Sequence, residues 1–218
     1  MFENGFYQRD GKLNIQLRPP AIRKRGIMGL TVTEKLISAA LVDGEMKKGQ
    51  RIGIRADQTL SHDVNGIMSY LVLEAMGVER VKAELSVHYM DHNMIQADFK
   101  NADDHSYLYD ITSKLGIITA RKGSGICHQL HLEHWGIPGK SLIGADSHTV
   151  AAGGIGMLSI GVGGFDGAMT MAGEPFYFKM PEIVNVRLSG NCSHSLRQKI
   201  LFWKYCAKFQ SKAVSEKF

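Results

Sequence analysis

Residues 31–188 alternate between short apolar runs and longer segments whose apolar residues recur on one helical face. Thr31 or Thr33 can cap the first helix, and Thr31-x-x-Glu34 forms a capping box in which the glutamate reaches back to a free backbone N–H. Leu36, Ile37, Ala40 and Leu41 then share a face, and Asp43-Gly44 and Lys48-Gly49 close the element with turn chemistry. Residues 51–55 alternate as a strand, and 57–60 read as the loop at its carboxyl end. Residues 64–76 read as a buried helix, 81–87 as a strand and 89–93 as the loop after it. A helix over 103–114, a strand over 117–120 and a loop over 122–125 follow. Residues 141–143 form an apolar strand that 144–148 leave directly. Residues 161–164 separate two small-residue segments read as closely packed helices, and 183–188 form a final strand.

Strands alternating with helices predict an α/β fold with a mostly parallel sheet. In such sheets ligands collect at the carboxyl ends of the strands. Three polar clusters fall on loops that leave predicted strands: around Asp57, at Asp91-His92, and at Asp146-Ser147-His148.

Composition narrows this little. With 44% hydrophobic and 22% charged residues, the chain is ordinary for a soluble globular protein. Its 218 residues allow one large or two small domains. No apolar run approaches the ~20 residues of a membrane span, and the N-terminus has no secretory pattern. Three cysteines without a CxxC pair point to a reducing compartment, and the expected location is cytoplasmic. The net charge of +5 is uneven: +4 over residues 1–27, −4 over 28–190 and +5 over 191–218. Basic ends suit nucleic acid, giving a reading of another class, a non-catalytic binding module. Both ends look foreign to the rest of the chain, which weighs against that reading.

Each cluster also has a plainer explanation. His128, His131 and His134 stand at i, i+3 and i+6, a metal face if helical, but Gly136 and Pro138 end the segment quickly. Gly123-Ser-Gly125 lacks the Lys-Ser/Thr of a phosphate loop, and the glycines at 153–156 suit close packing better than a dinucleotide. Asp146, Ser147 and His148 are too close in sequence to form a triad by themselves, yet can present an acid and an imidazole to one cavity. A carboxylate beside an imidazole keeps it available as a proton donor. Asp91-His92 repeats the pairing, and the residues alone suit a lyase or hydrolase acting on a small polar anion.

The motifs MGLTVTEK, DQTLSHDVNGIMSY, YMDHN, FKNADDH, GSGICHQ, GADSHT, GGIGMLSIGVGG and MAGEPFYFKMP occur in this order over residues 28–190. Together they resemble the N-terminal domain of the aconitase family, closest to its bacterial aconitate hydratase branch. The resemblance implies a three-layer α/β domain. It also implies citrate, isocitrate and cis-aconitate as substrates, and a [4Fe–4S] cluster in the full-length family. On it, Asp91, His92, His128, Asp146 and His148 are the catalytic residues, and His62, Asp146, Ser147 and His148 contact substrate. His62 stands where the family usually has a Gln, and Ala151 where mitochondrial-type enzymes have an Asn. The cluster cysteines, substrate-binding arginines and serine base belong to later domains, so no metal ligand is expected here and the chain alone is expected to be inactive. The missing domains would then act as a partner, on a separate chain if one exists. The large subunit of isopropylmalate or homoaconitate dehydratase is a nearer alternative, which FKNADDH and MAGEPFYFKMP disfavour.

The ends are read separately. Residues 1–27 show no helical or strand period, and Met28, after Arg23-Lys24-Arg25, is a candidate natural start. Residues 191–218 read as a frameshifted tail, because they can be back-translated with permitted codons such that one restored base yields KLQPFVAPKDIILEILRK, similar to the family's continuation. Cys127, Cys192 and Cys206 are not read as cluster ligands.

Overall fold

The structure is a computed structural model that describes residues 14–18 and 29–189. The readings of Met28 as a start, of 191–218 as a frameshifted tail, and of Cys192 and Cys206 lie outside the described residues. In chain order the elements begin with β1 (Asn14–Arg18), α1 (Val32–Ala40), β2 (Leu41–Asp43), β3 (Arg51–Ile54), β4 (Gln58–His62) and α2 (Gly66–Ala75). Next come β5 (Leu85–Tyr89), α3 (Phe99–Leu115), β6 (Ile118–Ala120), α4 (Cys127–His134) and β7 (Ser141–Gly144). A 3-10 helix (Ser147–Ile155), β8 (Leu158–Gly161), α5 (Gly164–Met171), β9 (Phe176–Lys179) and β10 (Asn185–Ser189) complete the series.

The chain divides into two units, one of residues 1–24 with 183–218 and one of 25–182. In the first, β1 and β10 pair antiparallel. A strand at Asn14–Arg18 departs from the unpatterned reading of 1–27: the apolar alternation there is only Ile15 and Leu17, too short a run to register as a period.

In the second unit, β2, β3 and β9 form a small antiparallel sheet, and five parallel strands form the main sheet in the order β6-β5-β4-β7-β8. From β4 the chain winds outward through β5 to β6, then crosses back to β7 and winds outward through β8. The winding reverses between β4 and β7, the place where sheets of this kind open a crevice at their carboxyl ends. Strand alternation sends Leu60, Val87, Tyr89 and Leu142 to one face, against Cys127, Ala152 and Met157. Helices α2, α3 and α5 share a separate core of Tyr70, Leu73, Leu108, Leu115 and Met171, which completes a three-layer α/β arrangement. Thr31 caps α1 as expected: its hydroxyl accepts from the Glu34 N–H at 3.2 Å, and its own N–H donates to the Glu34 carboxylate at 2.7 Å. Met68, Leu71 and Phe165 are more than half exposed, in keeping with a domain that leaves apolar surface open. Among the described residues no helix is long and apolar enough to cross a membrane.

Two expectations are corrected here. The strand expected at 51–55 is β3 of the small antiparallel sheet, so Asp57 does not leave a strand of the parallel sheet but leads into β4. The Asp57 carboxylate accepts from the N–H of Ser141 at 2.9 Å and ties together the amino ends of β4 and β7, the end of the sheet away from the other two clusters. Gln58–His62 looks polar enough for a loop, yet it is the fully buried central strand, its polar side chains satisfied by partners such as Ser86 on Thr59 (2.7 Å). The segment before Gly161 is β8, not a helix.

Candidate active site

Three central strands deliver the polar residues to one place. His62 is the last residue of β4; Asp91 and His92 follow β5; Asp146 follows β7. His128 arrives from the first turn of α4, behind β6. Two glycines let the segment after β7 sit this close. A Cβ on Gly144 would meet the Thr149 hydroxyl at 2.2 Å, and one on Gly161 would meet the Asp146 carbonyl oxygen at 2.4 Å.

Asp146 is the hub. It caps the 3-10 helix, its carboxylate accepting from the His148 N–H at 2.7 Å. His128 Nε2 lies 2.7 Å from Asp146 Oδ1, and His148 Nδ1 lies 3.4 Å from the same oxygen. His62 Nε2 and His92 Nε2 approach Oδ2 at 3.5 and 3.8 Å. Burial works against ionisation of Asp146, but the His148 N–H and the neighbouring imidazoles outweigh it and hold the carboxyl below the usual range. Four imidazoles therefore surround one carboxylate.

Asp91 and His92 form the second pair. The His92 Nδ1 is 2.8 Å from Asp91 Oδ1, and Asp91 Oδ2 accepts from the backbone N–H of Cys127 at 2.7 Å. Burial again opposes ionisation, and the Cys127 N–H and His92 reverse it, so Asp91 is held below the usual carboxylate range. With Nδ1 engaged, His92 turns Nε2 toward Asp146. Its ring stacks on His62, centroids 3.8 Å apart. His62 is buried, and the N–H of Val64 donates to its Nδ1 at 3.3 Å. Burial, then the nearby His92, lowers the His62 pKa. At the rim the Ser147 hydroxyl is 3.2 Å from His148 Nδ1, and the His148 side chain is 80% exposed.

All seven predicted site residues thus converge: His62, Asp91, His92, His128, Asp146, Ser147 and His148. The histidine series of α4 does not. His131 is buried between Tyr89 OH and Gln58 Oε1, each 3.0 Å away, and burial lowers its pKa to about 4. His134 instead lines an apolar cavity of about 430 Å³ with Tyr89, Leu130 and Trp135. The three-histidine metal face is therefore not formed.

Sequence reasoning passed over two residues of this site. Asp63 accepts from the N–H groups of His92 and Asn93, and the Asn65 side chain donates to the Ala145 carbonyl at 2.7 Å. Both lie in DQTLSHDVNG, an Asp and an Asn at a strand-to-helix junction, where short polar side chains commonly bond nearby backbone.

The described residues do not fit the iron–sulfur cluster that the resemblance implies. Such clusters are held by several cysteine thiolates. Among the described residues the free cysteine is Cys127, buried behind Asp91, and burial followed by the Asp91 charge pushes its thiol well up, away from the thiolate form.

The aconitase family (aconitate hydratase) model matches residues 34–218. Mitochondrial aconitate hydratase of Saccharomyces cerevisiae is 37% identical over 184 residues, 78% of this chain and 23% of the yeast protein. That of Emericella nidulans is 33% identical over 205 residues, 88% of this chain and 26% of its own length. That of Schizosaccharomyces pombe is 34% identical over 183 residues, 78% of this chain and 23% of its own length. The chain spans about a quarter of the length of these relatives. The expected cytoplasmic location is overturned by these comparisons, since the relatives are named as mitochondrial enzymes. Cysteine usage reports only a reducing environment and does not separate the two compartments. A family model matched over most of the chain and relatives above 30% identity agree with the motifs: this chain belongs to the aconitase family.

Proposed function

We propose that this chain forms the proton-handling and substrate-contact wall of an aconitate hydratase, which interconverts citrate and isocitrate by removing water to give cis-aconitate and adding it back. The observation that carries the reading is the gathering of His62, His92, His128 and His148 around Asp146 at the carboxyl ends of β4, β5 and β7.

Asp91 holds His92 through Nδ1, so that Nε2 gives its proton to the departing hydroxyl, which leaves as water. Rehydration runs the same transfer backward, with His92 receiving the proton. Asp146 Oδ1, 2.7 Å from His128 Nε2, keeps that ring aimed at the site. Ser147 and His148, exposed at the rim, contact a substrate carboxylate. His62 works from below, its ring supporting that of His92 and its Nε2 turned to Asp146. The described residues include no set of cysteines for a cluster, so turnover depends on parts of the family's polypeptide that they do not contain.

The test is complementation. The chain is assayed alone and after reconstitution with the remaining length of the yeast relative, following cis-aconitate by its ultraviolet absorbance. We expect no turnover alone, turnover on reconstitution, and its loss with His92→Ala. Dehydration of isopropylmalate in preference to citrate would replace the reading with the neighbouring dehydratase. Salt-dependent nucleic-acid binding with no turnover in either arm would replace it with a binding module.

A further inference from the structure

The loop that carries His92 is fastened from beneath by a buried carboxylate. Asp63 follows β4 directly, and its side chain is 0% exposed. One carboxylate oxygen accepts from the backbone N–H of His92 at 3.0 Å, the other from that of Asn93 at 2.7 Å. Behind it, Nε2 of His105, in the middle of α3, lies 3.3 Å from Asp63 Oδ2. His105 is itself buried, and neither of its ring nitrogens has a hydrogen-bond partner, so the Asp63 carboxylate is the counterpart that the structure offers it. The Asn93 side chain also donates to the side-chain Oδ1 of Asn101 near the start of α3.

A buried carboxylate is costly unless paired, and here backbone donors and an imidazole supply the pairing. The arrangement spans three elements: the end of β4, the loop after β5 and the body of α3. It also gives a purpose to FKNADDH, since Asn101 and His105 both belong to it.

We propose that Asp63 is a positioning residue for His92, with His105 as its buried counterpart: the pair sets the backbone of the 91–93 loop, and through it the direction of His92 Nε2. The role in turnover rests on the aconitate hydratase reading; the effect on the loop does not. A displacement of about 1 Å in a catalytic group costs on the order of 100-fold in rate. Asp63→Asn removes one of the two carboxylate acceptors while keeping size and shape.

The experiment uses the full chain with nitrogen-labelled backbone and labelled histidine rings. In the parent we expect the amides of His92 and Asn93 to be protected from solvent exchange. In Asp63→Asn we expect at least one of them to lose protection and the His92 ring signal to shift, while core signals such as those of Leu73 and Val87 stay in place. A folded variant with both amides protected and the ring signal unmoved overturns the proposal. Should Asp63→Asn fail to fold, Asp63→Glu is read by the same signals, because it keeps the charge but displaces both oxygens. In the reconstituted enzyme Asp63→Asn should lower kcat by about 10- to 100-fold with KM unchanged. Absence of turnover in the parent would defeat the functional reading alone, because the exchange measurement still decides the role of Asp63.

Discussion

His62 and His92 stack ring on ring, centroids 3.8 Å apart and planes 18° apart. Two imidazolium ions cannot occupy such a stack cheaply. Burial and then the charge of His92 lower the His62 pKa, so the stack favours the neutral form of His62. A neutral His62 serves as a platform and a hydrogen-bonding group, tasks a glutamine can perform. His62→Gln should therefore keep turnover of the reconstituted enzyme within about threefold, while His62→Ala, which removes the platform, should lower it by about 10-fold or more. Steady-state kinetics check this, and equal losses in both variants would refute it.

Asp146 has two separable duties: it caps the 3-10 helix and it carries the charge that four imidazoles face. Asn can cap but carries no charge. Asp146→Asn should keep the cap, lower the urea midpoint only by what the favoured carboxylate charge contributes, and reduce turnover by about 100-fold or more. Asp146→Ala should in addition cost about 1 kcal/mol of stability through the lost cap. Comparable stability loss in both variants would mean that the charge, not the cap, holds the fold.

Much of the parallel architecture was legible because the β-α alternation is strong and each site loop follows an apolar strand. Asp91, His92, Asp146 and His148 could be found that way. The central strand could not. Gln58–His62 hides four polar residues in the core, and partners such as Ser86 for Thr59 and His88 for Ser61 lie 27 residues away. Asp57 was misplaced for the same reason: its partner Ser141 is 84 residues away. Asp63 and His105 were invisible as a pair because they meet only after α3 packs behind the loop.

Acid should destabilise the domain in a defined window. Burial lowers the pKa of His131 to about 4 and that of His88 to about 3, well below the ~6.5 of an unfolded histidine. Their contribution is complete above about pH 6.5 and is lost as pH falls through that value toward the folded pKa values, because the unfolded chain takes up the protons first. Asp91 and Asp146, both held low, extend the loss below about pH 4 in the same direction. Urea midpoints should fall steadily between about pH 6.5 and pH 5, and His131→Gln should flatten that slope. A midpoint constant across this range would contradict the buried, neutral state of both rings.

Cys127 should be inert in the folded chain. Its residue is 0% exposed, and burial with the Asp91 charge keeps the thiol protonated, whereas alkylation requires the thiolate. Treatment with a maleimide followed by peptide mass spectrometry should find Cys127 unmodified in buffer and modified in denaturant. Rapid labelling in buffer would show that the start of α4 opens and that the Asp91 anchor to the Cys127 N–H is broken.

Gly161 is the sharpest steric test of how the site is seated. It lies opposite Gly144 in the β7–β8 pairing. A Cβ there would meet the Asp146 carbonyl oxygen at 2.4 Å and the Ser147 Cα at 3.1 Å. Both are backbone atoms, so no rotamer change relieves the clash, and the segment carrying Asp146 must move. Gly161→Ala should cost about 1–3 kcal/mol, as overpacking does. The moved carboxylate should also lower turnover of the reconstituted enzyme by about 10-fold or more. Gly163→Ala is the control, since nothing lies within 4 Å of its added Cβ. It should change stability by less than about 0.5 kcal/mol and leave kcat intact. If the two variants prove equally mild in urea and in kinetics, the close approach of β8 to Asp146 does not seat the site.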